Sequence, residues 1–420
     1  MERERADRLI REWFARALAA VDPAVAVDRA VGAMPHLVDG PPPVVLAIGK
    51  AAGAMTAGLV RSLPQGIARG VLITKDRKTV GQLPASVHVR EAGHPIPDDR
   101  TIRATEAALA MLGRSSPDEP VVVLLSGGGS ALFEAPVDGV TLGEIAALTA
   151  LMLRAGATIN ELNGVRSTLS RVKRGGLLGY IRDPRPVTLV LSDVIGNDLC
   201  VIASGPTIVA PRGDDPLLVL ERLGLTSAID DRLSALIESH PSSMGVASAP
   251  SPVIVADNDT AIDAFAAAAR EEVAVEVVWR QRTGEARDLA VEWAATCLSA
   301  PSDIAVIVGG GEATVTVRGD GVGGRNTEFA VASALELDRL KMVDWVIASL
   351  ATDGDDGPTG AAGGIVSRRT VQAARYAGVD PAADLDANDT RLVLEVTGDL
   401  VVTGPTGTNV NDLYVAVRVR

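Results

Sequence analysis

Cations and carboxylates at the ends of apolar runs are the residues of this sequence best placed to do chemistry, and that chemistry is the handling of anions. The run Pro43–Ile48 ends in Gly49-Lys50, and small residues (Ala51-Ala52-Gly53) follow as the start of a helix. A helix N-terminus disfavours a lysine, so Lys50 suits a bound anion; a solvated surface lysine is the alternative. A second run, Val121–Leu125, enters Ser126-Gly127-Gly128-Gly129-Ser130. Consecutive glycines can adopt φ > 0 and aim successive N–H groups at one point, forming an anion nest, where the plainer reading is a tight turn. Two further runs deliver aspartates, Val187–Leu191 to Asp193 and Trp345–Leu350 to Asp353. Either carboxylate could bind a hard cation, accept a hydroxyl proton, or simply cap the next turn. Asp355 and Asp356 read as loop residues.

Basic residues cluster in Asn163–Gly176, with Arg166, Arg171, Lys173 and Arg174 close together. On a helix Arg166 and Lys173, seven apart, would share a face. That face would be either solvated or a dock for carboxylate or phosphate. Arg325-Asn326, after a glycine run, has a similar claim. Thr406, Thr408, Asn409 and Asn411 lie in a polar loop before the last apolar segment and suit a ligand loop or a surface turn.

The elements that must hold these residues alternate between strand and helix. Pro43–Ile48, Gly70–Thr74, Val121–Leu125, Val187–Leu191, Val253–Val255, Val273–Val278, Ile304–Val308 and Trp345–Leu350 read as strands. Several are apolar at every position, as in parallel strands covered on both faces. Arg100–Arg114, Thr141–Gly156, Asp259–Glu272, Glu285–Leu298 and Thr327–Leu340 read as the helices between them. The fold class is therefore α/β. Gly309–Ala313 reads as a hairpin turn, and Tyr414–Arg420 as a half-exposed or edge strand. The Pro/Ser/Ala-rich stretch at about 241–252 reads as a linker between a domain at 1–240 and another at 253–420.

Composition narrows the partners. The 420 residues include 40 Lys+Arg and 53 Asp+Glu, a net charge of −13. That balance argues against nucleic acid, and an anionic ligand must be held locally against the overall field. No apolar run approaches the roughly 18–20 residues of a membrane span. The N-terminal segment has charges through its first 15 residues, unlike a secretory signal, and Ile10, Trp13, Phe14 and Leu18 form one helical stripe, expected to dock on its own domain, with a membrane-surface helix as the alternative. The expected compartment is the cytoplasm. Cys200 and Cys297 are too few for a disulfide framework, and His36, His88, His94 and His240 make no zinc pattern. Gly319–Gly324 (GDGVGG) satisfies GxGxxG but lacks the strand–turn–helix setting of a dinucleotide site.

Eight segments together resemble the glycerate 2-kinase family, whose C-terminal part is the MOFRL domain and whose members once carried a hydroxypyruvate reductase label. They are AIGKAAGAM (47–55), AGHPIPDD (92–99), LLSGGGSALFEAP (124–136), NELNGVRSTLSRVKRGGLL (160–178), LSDVIGNDLCVIASGPT (191–207), GGGEATVTVRGDGVGGRNTEFA (309–330), ATDGDDGPTGAAGG (351–364) and TGPTGTNVNDL (403–413). The resemblance implies a larger Rossmann-like N-terminal domain with a mainly parallel sheet, a smaller mixed-sheet C-terminal domain, and an active site in the cleft between them. It implies ATP- and Mg²⁺-dependent phosphorylation of D-glycerate to 2-phosphoglycerate, with Lys50 and Arg325 as the principal basic residues. Family members commonly carry an acidic residue where this chain has Gly360, and the acidic stretch Asp384–Asp389 is also a departure.

On that basis Lys50, Arg325 and Asp193 are the expected catalytic residues, and Asp193 and Asp353 the expected metal ligands. The substrate- and phosphate-binding set is Ser126, Gly127, Gly128, Gly129, Ser130, Arg166, Lys173, Asn326, Thr406, Asn409 and Asn411. D-Glycerate and ATP are the expected partners, a homo-oligomer being compatible. The competing readings are an NAD(P)H-dependent hydroxypyruvate reductase and a non-catalytic binder of phosphorylated metabolites.

Overall fold

A computed structural model of the protein describes residues 2–209, 214–239 and 250–419. It divides into two compact units: one holds residues 23–255, the other residues up to Asp22 together with Ala256 onward. Most of the expected linker, 241–249, lies outside the described residues.

In the first unit, β1 (Val44–Ile48), β2 (Arg69–Thr74), β3 (Val87–Glu91), β4 (Val121–Leu125), β5 (Val187–Leu191) and β6 (Val253–Ala256) make one sheet among the described residues. Its order is β3-β2-β1-β4-β5-β6, and β3–β2, β2–β1, β1–β4 and β4–β5 pair in parallel. This is the doubly wound, Rossmann-like arrangement, and its switch point lies between β1 and β4, where ligands bind beyond the carboxyl ends of the strands. Every residue of β1 and β4 is buried, which explains their unbroken apolar runs. A satellite helical lobe, including Leu142–Arg154, Ile159–Thr168, Pro216–Arg222 and Asp231–Ser239, packs around Leu148, Met152, Val165 and Leu220. β6 corrects the expectation that the second domain begins at 253, because it completes the first sheet.

The second unit holds β7 (Val275–Glu285), β8 (Val306–Thr314), β9 (Trp345–Ala351), β10 (Gly363–Ser367), β11 (Leu400–Val401) and β12 (Asp412–Arg418). Their order is β11-β10-β9-β12-β8-β7, with β7–β8 parallel and β8–β12, β12–β9, β9–β10 and β10–β11 antiparallel. The sheet is mixed. β12 corrects the edge-strand expectation: it is buried between β8 and β9, and its alternation separates two covered faces, not core from solvent.

Gly309-Gly310-Gly311 corrects the hairpin expectation, since all three lie inside the continuous β8. A Cβ on Gly311 would stand 1.9 Å from Arg282 O, and one on Gly310 would stand 2.4 Å from Asn258 Oδ1. These glycines admit the bulged β7 and a neighbouring side chain.

The N-terminal helix, Arg3–Ala20, forms as its stripe predicts but belongs to the second unit, not to the domain that follows it in sequence. Trp13 meets Phe265 edge-on at 5.8 Å between ring centroids, and Arg16 pairs with Glu271. Large apolar area explains this choice of partner better than chain proximity does.

Candidate active site

β1 and β4 bring the first group of expected residues together. Gly49, at φ 126°, turns the chain out of β1, where a Cβ would stand 2.2 Å from Ser126 Oγ. Lys50 N donates to Gly127 O at 3.0 Å, and Ala51 N donates to Ser126 Oγ at 3.1 Å. The two strand exits are thus tied together, with Lys50 exposed at the start of the helix Ala52–Ser62. Ser126 is buried and its hydroxyl caps this junction.

Gly128 takes φ 83°, a conformation that both the nest and the tight-turn readings use. Among the described residues the N–H groups of Gly127, Gly128, Gly129 and Ser130 have no hydrogen-bond acceptor. A Cβ on Gly127 would lie 2.1 Å from Asp193 Oδ2, so the half-buried aspartate beyond β5 rests directly on bare backbone. A Cβ on Gly128 would lie 3.1 Å from His94 Nε2 and 3.5 Å from Lys50 Cε. Lys50, Asp193, His94 and the glycine turn therefore share one sheet edge. Burial, then Lys50 and Lys75, holds the His94 imidazolium below the usual histidine range.

Arg166 and Lys173 do not share a helical face. The helix ends at Thr168, and both cations turn onto Glu134, which is fully buried. Lys173 Nζ lies 3.2 Å from Glu134 Oε2 and donates to Ser130 O at 2.9 Å, while Arg166 Nη2 lies 3.9 Å from the same carboxylate oxygen. Burial lowers the Lys173 ammonium below its usual range although Glu134 pulls the other way. Arg174 N donates to Ser204 O and Gly175 N to Gly205 O, at 3.0 and 2.8 Å. Ser130 and Ser204 meet hydroxyl to hydroxyl at 2.6 Å. The basic segment is thus a clamp beneath the glycine turn. Ala203 and Ser204, at φ 51° and 60°, are strained residues held by it.

The second unit gathers the rest. Arg325 Nε and Nη2 donate to Asp412 at 2.7 and 3.1 Å, and Nη1 donates to Glu312 at 3.1 Å. Burial pushes the Asp412 carboxyl up to about 6, against the pull of Arg325. Burial also works against the Arg325 cation, but Asp412 and then Glu312 outweigh it and keep the guanidinium charged. Asn326 is buried; its Nδ2 donates to Asp412 and its Oδ1 accepts from Ser349 Oγ at 2.6 Å.

Asp356 corrects its reading as a loop residue: it is buried and takes the N–H groups of Asn326 and Thr327 at 2.9 and 2.8 Å, capping the helix Arg325–Arg339. That carboxylate occupies the helix N-terminus to which GDGVGG leads. Gly319, Gly321 and Gly323 serve close packing on Ala387–Thr390, where added Cβ atoms would stand 2.5 to 2.6 Å from the opposing chain. The acidic departure at 384–389 is part of this seam, with Asp389 Oδ1 accepting from Val322 N.

Asp353 is half-buried beyond β9, and its Oδ1 accepts from Asp355 N at 3.0 Å. The polar loop folds onto the same turn. Thr406 Oγ1 donates to Thr352 O at 2.6 Å, and Asn411 O accepts from Thr352 N and Oγ1. Asn409 Oδ1 accepts from Asn411 N at 3.1 Å, and Asn411 takes φ 64°. These side chains build the loop itself. Sequence reasoning missed Glu134, His94, Asp356 and Asp412 as working groups. Each sits inside one of the quoted segments, but no local spacing marks Glu134 or Asp412 as the partner of a distant cation.

The chain is similar to known proteins over nearly its whole length. A family described as a domain of unknown function, DUF4147, matches residues 9–238, and the MOFRL family matches residues 305–412. A D-glycerate 2-kinase from Thermotoga maritima is 37% identical over 389 residues, 90% of this chain and 90% of its own. A relative from Agrobacterium vitis with a provisional hydroxypyruvate reductase name is 37% identical over 419 residues, 97% of this chain and 93% of its own. The crystal structure of a glycerate kinase from Thermotoga maritima superposes with a TM-score of 0.91 at 34% identity, covering 99% of this chain and 100% of that one.

Proposed function

The chain belongs to the glycerate 2-kinase family, and from that premise we propose that it transfers the γ-phosphoryl group of ATP to the 2-hydroxyl of D-glycerate, releasing 2-phosphoglycerate and ADP. The observation that carries this reading is the pairing of Lys50 with a glycine turn whose N–H groups have no acceptor among the described residues, at the sheet's switch point. Phosphoryl transfer is chiefly positioning and neutralisation of charge, which amides and cations supply.

In this reading Lys50 and the amides of Gly127–Ser130 hold anionic oxygens of the substrates. Arg325, fixed by Asp412 and Glu312, keeps a partly exposed guanidinium edge that suits a phosphate oxygen. Arg166 and Lys173 support the nest from below, and Asn326 supports Arg325. Thr406, Asn409 and Asn411 shape the turn that carries Asp353. Asp193 and Asp353 offer only carboxylate oxygens, each half-buried at a strand end, which fits a hard divalent cation. When bound at either carboxylate, Mg²⁺ would neutralise phosphate charge. In this reading the reaction takes place in the cytoplasm, where ATP is supplied; among the described residues no helix is long and apolar enough to cross a membrane.

ADP release with D-glycerate and ATP, followed by phosphorus NMR of the product, tests the proposal. A 2-phosphate resonance is expected. A 3-phosphate would overturn the regiochemistry, and no phosphorylated product would overturn the kinase reading. Oxidation of NADPH by hydroxypyruvate is the parallel assay for the reductase reading, for which the capped helix after GDGVGG gives no support.

A further inference from the structure

We propose that His94 is the catalytic base of the phosphoryl transfer, taking the proton of the glycerate hydroxyl. The inference deepens the kinase reading and rests on it. His94 lies just beyond β3, in the segment AGHPIPDD that no role above absorbs. A Cβ added to Gly128 would stand 3.1 Å from His94 Nε2, closer than ordinary contact, and 3.5 Å from Lys50 Cε, so the ring edge and the lysine stem both lie over this glycine. The imidazole therefore stands on the nest, at the same sheet edge as the amides and the cation.

Two features suit it to a proton. Neither His94 nor Lys50 has a side-chain hydrogen bond or ion pair among the described residues, so the ring nitrogens are uncommitted. The half-buried setting beside Lys50 and Lys75 keeps the ring neutral near pH 7, with one nitrogen lone pair available. Asp193 is the rival acceptor, but in the present reading a divalent cation would lie beside it, and a nearby cation lowers the basicity of a carboxylate.

The step balances within the proposed reaction. The hydroxyl proton passes to the imidazole, and the alkoxide oxygen forms a bond to the γ-phosphorus. The bond from that phosphorus to the bridging oxygen breaks, and its electron pair leaves on ADP. The imidazolium then returns its proton to solvent.

Steady-state kinetics with D-glycerate and ATP test the assignment. His94→Ala is expected to lower kcat by about 10²-fold or more while the KM for ATP changes little. Added imidazole should restore part of the rate to His94→Ala, which a purely structural role would not allow. His94→Gln keeps polar volume but carries no proton acceptor of comparable basicity, so it should stay as slow as His94→Ala and circular dichroism should show both folded. A His94→Gln variant with wild-type kcat overturns the base assignment and leaves the kinase reading standing. If the wild-type protein itself makes no phosphorylated product, the kinase reading falls and the base assignment falls with it.

Discussion

The two units treat their cations in opposite ways. In the first, Lys50 stands exposed beside bare amides and an uncommitted imidazole. In the second, Arg325 is locked by two carboxylates, one of them fully buried. A lysine ammonium is a mobile point charge, so its aim comes from the backbone that carries it. A guanidinium is a planar fork, so its aim comes from the partners that grip it. Removing Lys50 therefore deletes only a charge, whereas removing Arg325 strands Asp412.

That contrast is broken most directly by comparing Lys50→Ala with Arg325→Ala. Both should lower kcat by about 10²- to 10³-fold, the usual cost of losing one preorganised electrostatic partner. Their stabilities should diverge. Lys50→Ala should melt within about 0.5 kcal/mol of wild type. Arg325→Ala should lose about 3–5 kcal/mol, because a buried carboxylate is left without its partner. ADP-release kinetics beside calorimetry decide the matter; equal melting temperatures would show that the gripping carboxylates carry no such cost.

A double-mutant cycle sharpens the same point. Adding Asp412→Asn to Arg325→Ala should recover part of the lost stability, with a coupling of about 1–3 kcal/mol. Strict additivity would mean that the pair is not energetically linked. The first unit has its own version beneath the nest. Lys173→Met should destabilise through the abandoned Glu134, and Lys173→Met with Glu134→Leu should melt higher than the single variant. A Lys173→Met protein of unchanged stability but raised KM for glycerate would return Lys173 to direct substrate contact.

How much of this was legible in the sequence follows from physics. β1 and β4 are apolar throughout because both faces are covered, so the apolar pattern alone puts Lys50, Ser126–Ser130, Asp193 and Asp353 at strand ends. The N-terminal helix was legible as a stripe, but the stripe says nothing about its partner, which is Phe265 far along the chain. β12 alternates like an edge strand yet is central, since alternation records two faces and not which of them is wet. The glycines of β8 resemble a turn because sequence shows missing side chains without showing what fills their space. Glu134 and Asp412 were hidden for a related reason: a buried carboxylate is defined by a distant cation, and no spacing rule reaches from 134 to 173 or from 325 to 412.

The smallest expected effect separates the units by the sign of their pH dependence. Asp412 is pushed up to about 6 by burial, from an ordinary value of 3.8. Between those values the folded chain holds a proton that the unfolded chain has released, so the group's contribution is fully present below about pH 4 and is lost as pH rises through 6. Glu119 of the first unit is held down at about 2, from 4.5, chiefly by its hydrogen bond with Arg69. Its contribution is present above pH 4.5 and is lost as pH falls toward 2. The Glu119 pair is about a third exposed and should weaken as salt rises, whereas the buried Asp412 should respond little. Melting curves from pH 3 to 7 at low and high salt should show Asp412→Asn flattening the decline between pH 4 and 6. Glu119→Gln should instead remove a salt-sensitive rise below pH 4.5. An Asp412→Asn curve parallel to wild type across that window would mean that the Arg325 grip already keeps the carboxylate ionised, making the two units alike in the property that distinguishes them here.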